Sequence, residues 1–392
     1  MVIKNALVFI LGQGFLKRDV WIKDGYFAEI VDDFATLHSQ IYAEEKNAGN
    51  VIDAEGDYLI PGLVDVHFHG CAGVDFSDQT KKALDTIGRY EVEHGITSIC
   101  PTAMTLSQES LLEICKEAQE YTQKENASRL CGIHLEGPFI SMKKRGAQNP
   151  DYVQKPDIET FCRLQEAAHG LVRMITIAPE VEGAETFIRK LSGNVHISVG
   201  HTMSDYETAS HAFALGADHV THMYNGMCGF SHRAPGVIGA AFDAKHVMVE
   251  LICDGVHIDP SVIRATFQMF GPNRVVLVSD SMMATGMEDG NYSLGGLPVT
   301  VKGNLATLSD GTIAGSVTDL MDCMRMAVQM GIPFETAVRA ATYNPAKSIG
   351  VENMCGSIEV GKYGDCVLLQ KNDLKTKMVI LGGIRVDEKR HR

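Results

Sequence analysis

The sequence predicts an α/β fold: a (β/α)8 barrel joined to a small β-sandwich domain that the two chain ends form together. In the middle section, apolar, β-branched runs of about six residues alternate with amphipathic stretches of about 10 to 15 residues. Eight such runs are present, as a closed ring of parallel strands requires. Both chain ends hold only short strand-like runs with Gly and Asp turns. An open, doubly wound sheet is the alternative for the middle section.

The two chain ends are predicted to pair into one small domain. Asp24-Gly25 is a hairpin signal, because both residue types accept the positive φ of a two-residue turn. The predicted domains are 1–58 plus 355–392 for the β-sandwich and 59–354 for the barrel. The predicted strands of the small domain are 6–10, 20–23, 26–31, 50–53, 356–360, 365–369 and 378–381.

The middle section supplies the predicted barrel. Because the carboxyl ends of barrel strands meet at one face, residues at these ends are the first candidates for chemistry. The predicted strands are 63–69, 96–102, 131–136, 173–179, 195–201, 219–225, 247–254 and 274–280. The predicted helices include 80–94, 108–121, 157–169 and 205–215.

Composition narrows the classes of function. The chain has 392 residues, 45% of them hydrophobic, which suits one large and one small domain. A net charge of −14 disfavours nucleic acid and anionic membranes as partners, and no apolar segment is long enough to span a bilayer. The ten cysteines are scattered without metal-binding or disulfide spacing, which indicates reduced thiols and a cytoplasmic protein.

Residues that bind metal ions or transfer protons stand where the predicted strands end. His67 and His69 are separated by one residue, so on an extended strand both imidazoles point the same way. Any one such residue could merely mark where a buried strand meets solvent, but a recurring set indicates a site. The set is His67, His69, Glu136, His201, His222, His257 and Asp280.

This set suits a divalent metal centre. Zinc or iron(II) accepts imidazole and carboxylate ligands together, and Glu136, His201 and His222 supply both kinds. A second ion fits beside His67 and His69, bridged by Glu136. Asp280 then takes the proton of an activated water and passes it to a leaving group. His134 is expected to pack beneath the site rather than bind metal.

These motifs resemble the amidohydrolase superfamily and, within it, the N-acetylglucosamine-6-phosphate deacetylases. The resemblance covers essentially the whole chain. Many amidohydrolases bridge their metals with a carboxylated lysine, whereas the deacetylases use a glutamate at the third strand, as at Glu136. The motifs are His-Leu-Glu-Gly-Pro-Phe at 134–139, Val-Gly-His-Thr at 199–202 and Thr-His-Met-Tyr-Asn-Gly-Met at 221–227, with further matches at 254–257, 278–280 and 312–316.

The resemblance implies hydrolysis of the acetamide of an N-acetylhexosamine 6-phosphate at one or two zinc or iron ions. Glu136, His201 and His222 are then the principal metal ligands and Asp280 is the catalytic acid and base. The arginine at Arg233 reaches the phosphate in a neighbouring subunit, which implies a homodimer. The implied substrate contacts are Ala147, Gln148, Asn225, Gly226, Arg233, His257, Ile313, Ala314 and Gly315.

Two positions vary within this family. Some members have Gln and Asn in place of His67 and His69 and hold one metal, so two ions are expected here. Others have histidine in place of Gln148, where it polarises the acetyl carbonyl. In this chain that task would fall to a second metal or to His257.

Three alternatives stay open. One is another amidohydrolase activity, such as cyclic-amide hydrolysis, although no strand-end lysine is present to carry a bridging carbamate. Another is preference for the galactosamine epimer, which nothing in the sequence excludes. The third is a barrel that senses sugar phosphate without catalysis.

Overall fold

A computed structural model describes residues 1–78 and 80–386 of the chain. Its strands alternate with helices through the middle of the chain, as the sequence pattern predicts. The strands are β1 Val2–Ile10, β2 Gly14–Lys23, β3 Tyr26–Val31, β4 Val51–Asp53, β5 Tyr58–Pro61, β6 Leu63–Asp65, β7 Gly70–Cys71, β8 Val74–Asp75, β9 Ile96–Ile99, β10 Thr102–Ala103, β11 Arg129–Leu130, β12 Ile133–Glu136, β13 Val172–Ile177, β14 His196–Val199, β15 His219–Val220, β16 Met248–Ile252, β17 Val275–Val278, β18 Gly290–Leu294, β19 Leu297–Lys302, β20 Leu305–Thr307, β21 Cys366–Leu369, β22 Thr376–Leu381 and β23 Ile384–Arg385.

The four predicted helices are present, and most of them begin at a polar residue that caps them. Asp157 and Asp205 accept hydrogen bonds from the backbone of the first turns of their helices, which fixes where those helices start. The helices are α1 Phe34–Leu37, α2 Ser39–Asn47, α3 Thr80–Glu93, α4 Gln108–Gln119, α5 Ile158–Ala167, α6 Ala184–Leu191, α7 Tyr206–Ala214, α8 Gly236–Asp243, α9 Pro260–Phe270, α10 Leu320–Gln329, α11 Phe334–Ala341 and α12 Tyr343–Ser348.

The two chain ends share one sheet. Its strand order is β23-β22-β21-β5-β1-β2-β3, with β4 beside β1. The hairpin at Asp24-Gly25 is confirmed, since both residues have positive φ (52° and 86°) and Lys23 pairs with Tyr26. The predicted strand 356–360 is wrong: Gly356 has a φ of 84°, and the segment turns at Glu359, whose carbonyl accepts from the Lys362 backbone.

The middle section forms a curled parallel sheet. Seven strands pair in the order β10-β12-β13-β14-β15-β16-β17, and β6 pairs with β9. Backbone hydrogen bonds from Asp280 N to His67 O (2.9 Å) and from His69 N to Ser281 O (2.7 Å) link the segment after β17 to the segment after β6. The segments that follow β17 and β6 are therefore adjacent at the carboxyl end of the curled sheet.

Several strands of this sheet are shorter than predicted. The strand predicted at 63–69 ends at Asp65, and the one predicted at 219–225 ends at Val220. The residues that follow leave the extended conformation, as at His222 (φ 23°) and Tyr224 (φ 81°). A three-stranded antiparallel sheet of β18, β19 and β20, which was not predicted, is inserted after β17.

Apolar side chains fill the space between the curled sheet and its helices. Outward residues such as Ile175, Leu251 and Leu277 are buried against α-helices, while Met174 and Val276 pack inside the curl. Burial of this kind is the main force that holds the strand ends in place. Among the described residues, no helix is both long and apolar enough to cross a membrane.

Candidate active site

Side chains from separate strands converge at the carboxyl end of the curled sheet. Glu136 is the last residue of β12. His67, His201, His222 and Asp280 each stand two residues past the end of their strand. The parallel strands thus fix the positions of the short segments that follow them, and the side chains of these segments carry the functional groups.

Three of these residues adopt a backbone conformation that side-chain-bearing residues rarely take. The φ angles are 45° at His201, 23° at His222 and 50° at Asp280. Such angles cost free energy and persist only where the surroundings enforce them, and they cluster at functional sites. Gly226 packs against this region, because a Cβ there would lie 3.1 Å from His201 Nδ1.

One oxygen of Glu136 faces three imidazoles. Its Oε1 lies 2.8 Å from His201 Nε2, 2.9 Å from His222 Nε2 and 3.5 Å from His67 Nε2. The Nε2 atoms of His201 and His222 are 3.1 Å apart. The three principal ligands predicted from the sequence therefore converge on one point.

The second oxygen of Glu136 faces a second group. Its Oε2 lies 3.4 Å from His69 Nε2, which in turn lies 3.3 Å from Asp280 Oδ1. His67 joins both groups, with its Nε2 3.8 Å from Asp280 Oδ1. The rings of His67 and His69 are nearly perpendicular, at 84°. Both imidazoles face the Glu136 carboxylate, as predicted. They reach it from the segment after β6 and not from an extended strand, on which the prediction was based.

The donor set fits divalent metal. In a tetrahedral zinc site with bonds of about 2.0–2.1 Å, neighbouring donor atoms lie roughly 3.3 Å apart, close to the separations around Oε1. His67 Nε2 and Asp280 Oδ1 are buried without a hydrogen-bond partner in the described residues. Ligand atoms of His67, His69 and Asp280 lie within 4.8 Å of one another, as do those of His67, Glu136 and His222.

The pKa values of the clustered side chains also favour a bound cation. Burial alone would raise the pKa of Glu136, but the nearby His67 and His201 imidazoles hold it well below its usual range. Burial likewise opposes charging of His69, but Asp280 and Glu136 raise its pKa to about 10. The carboxylates thus demand positive charge, which a divalent cation supplies. His134 differs: burial lowers its pKa to about 3, and it bonds Thr176 Oγ1 at 2.8 Å, as expected of a packed histidine.

A pocket of about 260 Å³ opens beside the cluster. Most of the residues predicted as ligands, acid and base, or substrate contacts line it. They are His69, Glu136, Ala147, Gln148, His201, His222, Asn225, Gly226, His257, Asp280, Ile313 and Gly315.

Three predicted residues do not line the pocket. His67 is fully buried behind it, and the side chain of Ala314 is buried beside Met282. Arg233 lies on an exposed loop and makes no ion pair or hydrogen bond within residues 1–78 and 80–386. Its guanidinium is therefore available to a group outside its own pocket.

Two pocket residues are held by neighbours that orient them. The Gln148 amide donates to Glu136 Oε2 (2.5 Å), and its oxygen accepts from the Thr105 backbone (2.7 Å). His257 Nδ1 lies 2.7 Å from Asp254 Oδ2. Burial lowers the pKa of His257, but Asp254 more than offsets this and raises it overall.

Some lining residues and supports were missed in the sequence. Met104, Gly146, Leu294 and Thr312 also line the pocket, and Leu294 comes from the inserted sheet. The Gly295-Gly296 pair between alternating apolar residues was a hairpin signal that could have revealed this insertion. Glu250, in the middle of β16, supports His67 from below and had no signal beyond its charge within an apolar run.

A family model described as "Amidohydrolase family" matches residues 58–386. The chain belongs to the amidohydrolase family. Membership implies a TIM-type barrel, in keeping with the curled parallel sheet. The family generally binds a divalent metal, and the clustered His, Asp and Glu side chains could hold one.

Characterised relatives of this amidohydrolase include sugar-phosphate deacetylases. The N-acetylglucosamine-6-phosphate deacetylase of Bacillus subtilis (strain 168) is 36% identical over 357 residues, 90% of each chain. An N-acetylgalactosamine-6-phosphate deacetylase of Escherichia coli O157:H7 is 32% identical and is covered over 85% of its length, with 82% of this chain aligned.

Solved structures agree along the whole chain. An N-acetylglucosamine-6-phosphate deacetylase from Pasteurella multocida has a TM-score of 0.89 at 28% identity, with 97% of this chain and 98% of that chain covered. A mutant of the Mycobacterium smegmatis enzyme, in complex with N-acetyl-D-glucosamine 6-phosphate, has a TM-score of 0.87 at 31% identity, covering 98% and 99%.

Proposed function

We propose that this amidohydrolase removes the acetyl group of N-acetylglucosamine 6-phosphate, giving glucosamine 6-phosphate and acetate in amino-sugar metabolism. The observation that carries the proposal is the convergence of Glu136, His201 and His222 beside Asp280 in an open pocket. The deacetylase relatives from several organisms supply the substrate class. A cytoplasmic location is proposed with it, since the ten cysteines are unpaired and mostly buried.

Glu136, His201 and His222 would hold a zinc or iron ion, with a second ion beside His67 and His69. The bound ion would supply an activated water of lowered pKa and a Lewis acid for the acetyl carbonyl. Asp280 takes the proton of the attacking water as the new C–O bond forms. It then gives that proton to the amide nitrogen as the C–N bond breaks, so that the amine leaves neutral.

The remaining pocket residues would bind and orient the sugar phosphate. Asn225 Nδ2 is buried without a partner in the described residues, and His257 is oriented by Asp254, so both can bind substrate oxygens. Ala147, Gly226 and the 313–315 segment would complete the contacts. Arg233 would clamp the phosphate bound in a neighbouring subunit, which makes the enzyme a homodimer; a guanidinium binds phosphate bidentately even on an acidic protein.

Gln148 would act on Glu136 rather than on the acetyl group. Its amide is already engaged at both ends, by Thr105 and by Glu136. Polarisation of the acetyl carbonyl would then fall to a second ion or to His257. If Gln148→Ala left turnover unchanged while loss of His67 and His69 removed it, the second ion would be the electrophile.

The deciding experiment is an acetate-release assay on N-acetylglucosamine 6-phosphate with metal analysis of the same protein. We expect turnover that chelation removes and zinc or iron restores. The galactosamine epimer is the second substrate to assay, because a relative named for it is 32% identical. Faster turnover of that epimer would reassign the substrate, and absence of acetate release from both would refute the proposal.

We also propose the finer architecture that the sequence predicted. The curled sheet would be a closed (β/α)8 barrel spanning 59–354, and the terminal segments 1–58 plus 355–392 would form a β-sandwich. The links between the segments after β17 and β6 support closure. The pairing of β5 with β21 supports a joint terminal domain, although β5 itself crosses the predicted boundary.

A further inference from the structure

Glu250 is a glutamate in the middle of a buried strand. It is the third residue of β16, every residue of β16 is buried, and its side chain is 0% exposed. Burying an ionised carboxylate without partners is energetically costly, so other groups must form hydrogen bonds or ion pairs with it. The hydrogen-bond partners of Glu250 therefore indicate its role.

Both oxygens of Glu250 are bonded by residues next to the metal ligands or by the ligands themselves. Oε2 lies 2.8 Å from His67 Nδ1 and accepts from the His222 backbone N at 2.9 Å. Oε1 lies 3.1 Å from His219 Nε2. One carboxylate therefore ties together the segments that follow β6 and β15, which supply ligands to both groups around Glu136.

This contact fixes which nitrogen His67 presents to the site. An ionised carboxylate only accepts hydrogen bonds, so Nδ1 of His67 must carry the proton. In the neutral imidazole that binds a metal ion, the lone pair of Nε2 then faces Glu136 and Asp280, and that atom has no hydrogen-bond partner in the described residues. A carboxylate behind an imidazole also makes the imidazole a stronger ligand.

The backbone of His67 is held separately. Asp65 Oδ1 accepts from the His67 backbone N (3.2 Å), and Asp65 Oδ2 accepts from Ser279 Oγ (2.5 Å). Loss of Glu250 would therefore release the ring of His67 while its main chain stays in place. This separation allows the role of the ring to be tested by itself.

We propose that Glu250 is a positioning residue that sets the tautomer and orientation of His67 and thereby the affinity of the metal ion that His67 binds. The inference rests on the proposed function only in that a divalent ion occupies the site; it does not depend on the substrate. Glu250 does not line the pocket, and His67 is the only predicted metal ligand whose side chain it contacts among the described residues, so it acts through His67.

The test is metal binding by apo-protein carrying Glu250→Gln. Glutamine keeps the volume and one acceptor but removes the charge. We expect the affinity for Zn²⁺ of the ion bound by His67 to fall about 10- to 100-fold, as is typical when the partner of a ligating histidine is lost. The visible spectrum of the Co²⁺-loaded variant should also differ from that of the wild type.

Glu91→Gln is the matched control. Glu91 lies on α3 and is as deeply buried as Glu250, but burial and the neighbouring Asp65 carboxylate raise its pKa well above the usual range. Among the described residues it forms no hydrogen bond or ion pair with a predicted metal ligand, and glutamine has nearly the same shape and volume. We expect wild-type Zn²⁺ affinity and Co²⁺ spectrum for this variant.

A double variant separates positioning from general structural support. If Glu250 acts through His67, adding Glu250→Gln to His67→Asn causes no further loss of Zn²⁺ affinity. A merely structural role would lower the melting temperature of the apo-protein and leave affinity and spectrum unchanged, which would overturn the proposal. Additive losses in the double variant, or a wild type that binds no ion, would overturn it as well.

If Glu250→Gln fails to fold, Glu250→Asp provides the measurement. It keeps the charge but shortens the side chain, so the carboxylate retreats from His67 Nδ1. We expect weaker Zn²⁺ binding with a native circular-dichroism spectrum, and unchanged binding would contradict the inference. Metal retained by a protein without deacetylase activity would refute the proposed function and leave this inference standing.

Discussion

The histidine–carboxylate cluster around Glu136 and the sheet of the chain ends both pair carboxylates with basic groups, but in opposite surroundings. Glu136 is 2% exposed and has four imidazole nitrogens within 3.5 Å. Asp53 pairs with Lys4 at 2.8 Å, yet 42% of its side chain is exposed. Water competes for the second pair and is excluded from the first. Loss of a charged or hydrogen-bonding partner should therefore have a large effect in the cluster around Glu136 and a small effect at Asp53.

The pKa values reflect this difference. Burial would raise the pKa of Glu136, and only the imidazoles around it keep it low. The pKa of Asp53 is about 2 because Lys4, Asn5 and the Glu55 backbone donate hydrogen bonds to it, with little cost from burial. Glu136 thus depends on its partners, whereas Asp53 would remain an ionised surface group without them.

The largest effect is expected for Asp280→Asn. Asparagine cannot accept the proton of the water, and general acid and base catalysis contributes about 10²- to 10⁴-fold. Acetate release should fall by that factor, while metal content and substrate binding stay near the wild type. Near-normal turnover in a metal-loaded variant would remove Asp280 from the mechanism and weaken the contrast between the two regions.

The next effect is expected for Arg233→Ala. Hydrogen bonds to charged groups contribute about 1.5–3 kcal/mol, so kcat/KM should fall roughly 10- to 100-fold, mainly through KM. The inhibition constant of inorganic phosphate, used as a competitive inhibitor, should rise in parallel with KM.

A mixed dimer of Arg233→Ala and Asp280→Asn subunits tests whether the arginine acts across subunits. One of its two pockets would combine an intact Asp280 with the intact Arg233 of the other subunit. Assayed at substrate concentrations below KM, isolated mixed dimers should therefore be more active than either parent dimer. If they are no more active than the Arg233→Ala dimer, Arg233 serves its own subunit or no phosphate at all.

A smaller effect is expected for Asp254→Asn, because Asp254 contacts the pocket through His257. Asparagine keeps an acceptor for His257 but loses the charge, which weakens a hydrogen bond worth about 0.5–1.5 kcal/mol. We expect kcat/KM to fall roughly 2- to 10-fold at unchanged metal content. Because Asp254 raises the pKa of His257, the variant should also shift an ionisation in the pH profile of kcat/KM downward. A profile that does not move would show that His257 does not titrate in the reaction.

The smallest effect is expected for Asp53→Asn. Its folded pKa of about 2 lies below the ordinary value of 3.8, so the pair stabilises the fold above about pH 4 and that contribution is lost as the pH falls toward 2. Exposed pairs contribute only about 0–1 kcal/mol. The free energy of unfolding, measured in urea at pH 7, should differ from that of the wild type by no more than this amount. In 1 M salt the screening length is roughly 3 Å, so the difference should be smaller there. A larger effect would break the comparison.

The cluster of candidate metal ligands was predictable because the carboxyl ends of parallel strands meet at one face. His201, His222 and Asp280 were found from an apolar run followed by a polar residue, although the observed strands end two, five and two residues earlier than predicted, respectively. That error left the site intact, because the position of a residue after its strand matters more than whether it is itself extended.

Glu250 could not be assigned from the sequence, for a physical reason. It interrupts an apolar strand without any nearby partner in the sequence, and the groups that satisfy it come from other strands. The insertion carrying Leu294 was missed although its Gly-Gly turn was visible. The homodimer and the metal identity remain predictions because they depend on groups that a single chain does not contain. The domain boundaries remain a prediction as well.

The pairing of Pro61 with Cys366 in the terminal sheet has a consequence for biosynthesis. While the ribosome is still translating the middle of the chain, β5 has an unsatisfied edge where β21 will later dock. Such edges invite aggregation of nascent chains. Chaperone dependence should therefore be concentrated in the interval before residues 366–369 emerge, and a circular permutant that places β21 ahead of β1 should shorten it.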